Sequence, residues 1–200
     1  MSGRHPVIGV VGGTGALGGG LAFRLAHAGY PVIVGSRSAE KADAAAREIA
    51  STGQDLTVSG AGNAAAADGA DIVVVTVPFS HQAMILEEIK EHVAGKVVVD
   101  TTVPLVPPKV GVVQLPPSGS AALRANEILG PEVTVVSAFH NVAADKLRGD
   151  KAIDCDVLVF GNKRDARDGI VAMVNAIGMR GIHGGPLANS VAAEALTSVL

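Results

Sequence analysis

The chain has 200 residues, of which 48% are hydrophobic and 2% aromatic, and its formal net charge is −3 at pH 7. This length favours a single domain, and the small negative charge gives no reason to expect a nucleic-acid partner. No apolar run reaches about 18 residues, so no membrane span is expected, and the single cysteine, Cys155, leaves no internal disulfide.

Short apolar runs alternate with Ala-rich amphipathic stretches in the first half of the chain. The runs with strand character are 7–11, 31–35, 56–60, 71–78 and 96–102. The stretches with helical spacing are 15–29, 39–50 with Ser38 as N-cap, 63–70, and 81–93. This alternation predicts an α/β fold of Rossmann type, a doubly wound and mostly parallel sheet that binds ligands at the carboxyl ends of its strands.

The second half of the chain is less regular. Residues 103–119 are too rich in proline for regular structure and predict a functional loop. The elements predicted after it are a helix at 120–130, a strand and loop at 132–142, a strand at 156–161, a helix at 164–178, a strand and turn at 179–186 and a helix at 188–200. The last helix lacks a C-cap signal, as expected of a sequence that is cut short.

We therefore expect a Rossmann-type domain at 1–140. A smaller C-terminal α/β extension at 141–200 would complete the substrate cleft, with both parts forming one compact unit.

A glycine motif follows the first predicted strand and opens the first helix. Gly13, Gly15 and Gly18 form G-x-G-x-x-G, in which the first glycine permits the tight turn and the second lets the backbone approach a pyrophosphate. The third lets the helix pack against the sheet, and the helix N-terminus offers unpaired N–H groups to phosphates. The motif in this context predicts dinucleotide binding.

The second predicted strand ends without the acidic residue that usually binds a ribose hydroxyl. It leads into Ser36 and Arg37 instead, and Lys41 follows one helical turn later. A hydroxyl, a guanidinium and an ammonium suit a phosphate dianion, whereas a carboxylate would repel it. The sequence therefore predicts NADP(H) rather than NAD(H).

Two further loops belong to the predicted carboxyl edge. Val77, Pro78 and Phe79 give an apolar edge expected beside the ribose or nicotinamide, although Pro78 could simply end the strand. His140 and Asn141 follow a later strand on the same side. The residues leave open whether His140 touches a second substrate or is a histidine held by the backbone.

The sequence lacks the usual catalytic sets of this fold class. It has no Y-x-x-x-K pair, no G-x-x-x-N-x-x-K segment, and no convincing metal cluster or Ser/His/Asp set. Hydride transfer between two stacked rings needs mainly orientation in a water-poor slot, so we expect positioning residues and no metal. The open alternatives are an NADPH-dependent reductase of a flavin, an imine or another small acceptor, and a non-catalytic NADP(H)-sensing protein.

Motifs along nearly the whole chain resemble the F420-dependent NADP oxidoreductases, also called NADPH:F420 reductases. The segments are GGTGALGGGLAFRLAHAGYPVIVGSRSAEKA, DIVVVTVPFSHQ, KVVVDTTVPL, VVSAFHNVAA and GPLANS…EALT. The resemblance implies an NADP-dependent oxidoreductase that moves a hydride between NADP(H) and the deazaflavin coenzyme F420. It also implies a homodimer, and we expect a cytoplasmic location.

The resemblance also implies roles for individual residues. Thr14, Gly15, Ala16 and Leu17 would wrap the pyrophosphate, and Ser36, Arg37 and Lys41 would hold the 2′-phosphate. The walls of the ribose and nicotinamide site would include Phe79, Ala83, Leu105 and Ala144. His140 and Asn141 would lie toward the deazaflavin, with the deazaflavin stacked on the nicotinamide.

Overall fold

Eight strands and seven helices follow one another in the computed structural model, which describes residues 5–149 and 153–200. The strands are β1 (Ile8–Val11), β2 (Val32–Ser36), β3 (Val58–Gly62), β4 (Ile72–Val75), β5 (Val97–Asp100), β6 (Thr134–Ser137), β7 (Asp156–Gly161) and β8 (Arg180–Gly185). The helices are α1 (Ala16–His27), α2 (Ala39–Ala50), α3 (Asn63–Asp68), α4 (Phe79–Ile89), α5 (Ala121–Leu129), α6 (Arg164–Ala176) and α7 (Ser190–Thr197). Short 3-10 turns occur at Lys90–His92, Ala144–Lys146 and Leu187–Asn189.

The strands form one sheet in the order β3-β2-β1-β4-β5-β6-β7-β8. All neighbouring pairs are parallel except β6 and β7, which run antiparallel. The strand order reverses beside β1, which pairs with β2 on one side and with β4 on the other. Such a switch point opens a crevice at the carboxyl ends of the strands, where doubly wound sheets bind their ligands.

Helices cover both faces of the sheet, and each face has its own apolar core. Along β1, Val10 faces the core formed with α1, α2 and α6, and Val11 faces the core formed with α3, α4 and α5. This alternation follows from the two-residue period of a strand. Burial on both faces explains why the central strands β1, β4 and β5 are short runs rich in valine and isoleucine. The predicted Rossmann-type fold is confirmed.

The predicted and observed boundaries of the elements agree best where a capping residue fixes the end of a helix. Helix α2 occupies the predicted range, and the Ser38 side chain accepts a hydrogen bond from the Lys41 N–H at 3.3 Å, as expected of an N-cap. Helix α4 begins at Phe79, two residues earlier than predicted, because Pro78 fits the position before a first turn. Strand β3 lies two residues later than predicted, in a VSGAG run with weak strand character.

The proline-rich segment after β5 has the irregular structure that its composition predicts. No helix or strand occurs between Asp100 and Ala121, and the apolar side chains of this segment are largely exposed. Among the described helices, none combines the length and apolar character needed to cross a membrane.

Candidate functional site

The glycine turn between β1 and α1 is built from backbone groups in close contact. The Gly13 N–H donates to the carbonyls of Val10, at 3.1 Å, and Gly35, at 2.9 Å. A Cβ atom at Gly18 would overlap Thr76 Oγ1 and lie 2.6 Å from the Gly12 carbonyl oxygen. Only glycine at position 18 therefore lets α1 approach the end of β4, which is the packing role expected of the third glycine.

A cleft of about 540 Å³ opens at the switch point, beside this turn. Its lining residues come from the carboxyl ends of β1, β2, β3 and β4 and from the helices that follow them. They are Gly12, Thr14, Gly15, Ser36, Arg37, Ser38, Lys41, Asn63, Thr76, Val77, Pro78, His81, Met84 and Ile85. Seven predicted cofactor-binding residues are therefore together on one surface: Thr14, Gly15, Ser36, Arg37, Lys41, Val77 and Pro78. Gly13, Ala16, Leu17 and Gly18 belong to the turn and the first helical turn beside it.

One end of the cleft presents hydroxyl groups and cations. Ser36 is buried, with its Oγ 3.4 Å from Thr14 Oγ1, while Arg37 and Lys41 are exposed. Within the described residues, neither the Arg37 guanidinium nor the Lys41 ammonium has an ion pair or a hydrogen bond to another side chain. Two unpaired cations beside a hydroxyl fit a phosphate dianion, and the glycine turn with the α1 N-terminus fits a pyrophosphate.

Asn63 and Thr76 are polar residues of the cleft that do not appear among the predicted site residues. Asn63 is buried at the start of α3, and its Oδ1 accepts a hydrogen bond from the Gly12 N–H at 3.4 Å. The Thr76 hydroxyl donates to the Val11 carbonyl at 2.9 Å. Both side chains thus hold the glycine turn in place. The signal that could have identified them is their position, since each directly follows a strand at the carboxyl edge.

Comparisons with known proteins agree with this geometry. A family model described as NADP oxidoreductase coenzyme F420-dependent matches residues 7–104. The chain is 42% identical to the F420-dependent NADP reductase of Methanothermobacter marburgensis, over 96% of this chain and 90% of that protein. This chain belongs to the F420-dependent NADP oxidoreductase family.

Further members of the family are similar in sequence and in structure. The F420-dependent NADP reductase of Methanocaldococcus jannaschii is 37% identical over 96% of this chain and 90% of that protein. A crystal structure of a putative F420-dependent NADP reductase from Arthrobacter sp. FB24 superposes with a TM-score of 0.76 at 26% identity. That alignment covers 94% of this chain and 88% of the crystallised chain.

The other predicted cofactor-binding residues lie outside the cleft lining. Phe79 and Ala83 are half-buried in α4, and Leu105 is 39% exposed in the proline-rich segment. They follow β4 and β5, so they lie at the same carboxyl edge as the cleft, further along the sheet. The Phe79 ring stacks under the Arg124 guanidinium, whose Cζ lies 3.9 Å from the ring centroid.

His140 is enclosed after β6. It is 7% exposed, and its Nε2 lies 2.6 Å from Ser137 Oγ. Burial lowers the pKa of His140 to about 4, so its ring is neutral at pH 7 and is no source of protons there. Asn141 is exposed, and Ala144 is half-buried at the start of a 3-10 turn.

A buried polar cluster lies beneath the same edge, between α4, α5 and α7. Asp100, at the end of β5, and Gln82 are fully buried, and Glu194 is 1% exposed. Glu194 accepts hydrogen bonds from the N–H groups of Ala121, at 2.6 Å, and Ala122, at 3.1 Å, and so caps α5. Burial raises the pKa of Asp100 to about 7 and also raises that of Glu194. In the part of the chain that the structure describes, no group of three His, Cys, Asp or Glu residues could hold a metal ion.

Proposed function

We propose that this protein transfers a hydride between NADP(H) and coenzyme F420. The observation that supports this most directly is the cleft at the switch point, which brings the glycine turn together with Arg37 and Lys41. The chain that carries this cleft is 42% identical to an F420-dependent NADP reductase. Reduction of a flavin or an imine, and a purely NADP(H)-sensing role, are not favoured by these comparisons.

The residues of this chain would contribute by orientation. The nicotinamide ring and the deazaflavin ring supply the hydride chemistry themselves. The glycine turn and the cations of the cleft would bind the phosphates of NADP(H), while Val77 and Pro78 would form a wall that excludes water. Bringing two reacting carbons to about 3–3.5 Å in a dry slot accounts for much of the rate of such a reaction.

We also propose that the residues beyond the cleft lining form the second half of the site. Phe79, Ala83, Leu105 and Ala144 would border the nicotinamide, and His140 and Asn141 would lie toward the deazaflavin. Residues 141–200 would then complete the co-substrate cleft. Two contacts support this placement: Thr197 Oγ1 donates to the His140 carbonyl at 3.3 Å, and Glu194 caps α5 after the proline-rich segment.

A turnover assay with several acceptors tests the proposed function. Purified protein is mixed with NADPH and coenzyme F420, and loss of the oxidised deazaflavin absorbance is followed, with FMN and FAD in parallel. We expect turnover with F420 and little with either flavin. Turnover with a flavin alone would keep the NADPH site and replace the acceptor, whereas NADPH binding without any turnover would favour a sensor.

The Arg37→Ala variant tests the cofactor preference. A hydrogen bond to a charged group contributes about 1.5–3 kcal/mol, so NADPH affinity should fall about 10- to 150-fold while NADH affinity barely changes. Both dissociation constants can be measured by nicotinamide fluorescence. Arg47→Ala is the matched control, because Arg47 is also exposed but lies on α2, outside the cleft lining. An equal loss for NADPH and NADH would contradict a 2′-phosphate contact.

We further propose a homodimer and a cytoplasmic location. Exposed apolar side chains on the proline-rich segment support association, and they are Leu105, Val106, Val110, Val112, Val113 and Leu115. The single cysteine fits a reducing compartment. Light scattering of the purified protein distinguishes a dimer from a monomer of 20.0 kDa.

A further inference from the structure

Arg124 makes an unusual set of contacts with the segment that borders the cleft. It lies in the first turn of α5, and its Nη2 donates to the Phe79 carbonyl at 3.0 Å. Its Nε donates to Gln82 Oε1 at 2.8 Å, and its guanidinium covers the Phe79 ring. A planar guanidinium can make these three contacts at once, whereas an ammonium group cannot. Arg124 therefore fixes both the backbone and the ring of Phe79.

Gln82 extends this contact into the protein interior. Its Nε2 donates to Asp100 Oδ2 at 2.7 Å and to the Ala121 carbonyl at 3.0 Å. The amide therefore has one orientation, with its oxygen toward Arg124 and its nitrogen toward Asp100. Asp100 Oδ1 accepts a further hydrogen bond from the Thr102 hydroxyl at 2.6 Å. A continuous chain of hydrogen bonds thus joins Arg124, Gln82, Asp100 and Thr102.

The two ends of this hydrogen-bonded series, Arg124 and Thr102, lie beside two different parts of the proposed site. Phe79 directly follows Val77 and Pro78, which line the NADP(H) cleft, and Gln82 directly follows His81, which also lines it. Thr102 lies at the start of the proline-rich segment, where Leu105 is expected to border the nicotinamide. Gln82 and Asp100 are fully buried, so leaving either one without its hydrogen-bond partner would lower the stability of the folded protein. The hydrogen bonds of this series are therefore expected to form together.

We propose that Arg124 is a positioning residue for hydride transfer, which fixes the Val77–Pro78 wall relative to the root of the proline-rich segment through Phe79 and Gln82. This inference rests on the proposed function for the identity of the two substrates. Arg124 itself is outside the cleft lining. Its contribution is geometric, and a displacement of about 1 Å in such a site can reduce the rate about 100-fold.

The test compares Arg124→Met with Arg124→Lys. The methionine keeps an apolar stem without donors, and the lysine keeps the charge but has no fork to reach both Phe79 and Gln82. With NADPH and F420 we expect kcat to fall about 10- to 100-fold in Arg124→Met and less in Arg124→Lys. The dissociation constant for NADPH should change less than about threefold, and the primary isotope effect with deuterated NADPH should increase.

A second measurement is independent of activity. Hydrogen exchange of the amides in residues 76–85, with NADPH bound, should be faster in Arg124→Met than in the unaltered protein. Arg167→Met is the matched control. Arg167 lies in α6, which packs on the other face of the sheet, and it also donates a hydrogen bond to a backbone carbonyl, that of Gly161 in β7. We expect this control to change neither exchange in residues 76–85 nor the isotope effect, even if it lowers the melting temperature.

The outcomes separate this inference from the proposed function. Unchanged exchange in residues 76–85, or a loss of rate that arises wholly from weaker NADPH binding, would overturn the positioning role. Absence of F420 turnover in the unaltered protein would instead overturn the proposed function, and the exchange measurement would still decide whether Arg124 fixes the cleft wall. If Arg124→Met does not fold, Arg124→Lys gives the same decision.

Discussion

Replacing Asp100 with asparagine is expected to stabilise the protein at pH 7–8 and to change the pH dependence of its stability. Asp100 is fully buried at the end of β5, and its carboxylate accepts hydrogen bonds from Gln82 and Thr102. The pKa of Asp100 is raised from 3.8 to about 7, mainly because the carboxyl is buried. Hydrogen bonds from Thr102 and Gln82 lower the pKa, and the nearby Glu194 carboxylate raises it, within that net shift. Keeping this carboxylate ionised therefore costs stability.

The sign follows from proton linkage. Between pH 3.8 and about 7, folded Asp100 binds a proton that the unfolded chain does not bind, so this group makes the protein less stable as pH rises. Its stabilising contribution is complete below pH 3.8 and is lost above about pH 7. A difference of about three pKa units corresponds to about 4 kcal/mol across that interval. An asparagine amide resembles the protonated acid in shape and has no charge to bury.

Denaturant unfolding between pH 4 and pH 8 measures this effect. The difference in unfolding free energy between Asp100→Asn and the unaltered protein should increase with pH and level off above about pH 7. Asp165→Asn is the control, because it removes an exposed carboxylate on α6 and no buried group. A difference that stays constant with pH would show that Asp100 has an ordinary pKa in the folded protein.

The sheet and the residues that line the cleft beside the glycine turn were predictable from the sequence because their signals are local. Helix α2, for example, is defined by the N-cap Ser38 and a periodic alanine pattern, and the structure gives the predicted range. The glycine turn, Ser36 and Arg37 also lie within short distances of their strands. A motif beside a strand end is sufficient to place such residues at the carboxyl edge.

The buried polar cluster was not predictable, because its members are far apart in the chain and resemble surface residues. Gln82 is a polar residue on an amphipathic helix, and glutamine is mostly exposed in folded proteins. Its partners Asp100 and Arg124 are 18 and 42 residues away, and Glu194 reaches Ala121 from 73 residues further along. Only the packing of α4, α5 and α7 brings these groups together, and no local pattern encodes that packing.

The second large effect on the pH dependence of stability is expected at His140, and its sign is opposite to that of Asp100. Burial lowers the pKa of His140 from 6.5 to about 4, and the ring is held neutral against Ser137. Between these two values the unfolded chain binds a proton that the folded protein does not, so stability rises with pH. The contribution is complete above pH 6.5 and is lost as pH falls through about 4. The whole difference is about 3 kcal/mol.

His140→Asn should therefore remove an acid-sensitive component of stability. The smaller side chain leaves a cavity that lowers stability at every pH, so the slope, and not the absolute value, is the informative measurement. The difference in unfolding free energy between the variant and the unaltered protein should shift in favour of the variant as pH falls from about 6.5 to 4. A slope equal to that of the unaltered protein would mean that His140 is protonated normally in the folded state.

The two groups together make a stronger test than either alone. Between about pH 4 and pH 6.5 their slopes are opposite and each approaches about 1.4 kcal/mol per pH unit, so they largely cancel in the unaltered protein. Asp100→Asn alone should uncover the acid sensitivity that His140 causes, and His140→Asn alone should uncover the opposite slope. The double variant should again show little dependence on pH from these sites. Asp100 is paired with Ser137 across β5 and β6, and Ser137 is the hydrogen-bond partner of His140. A non-additive change in unfolding free energy in the double variant would therefore measure the coupling between the two buried groups through that strand pair.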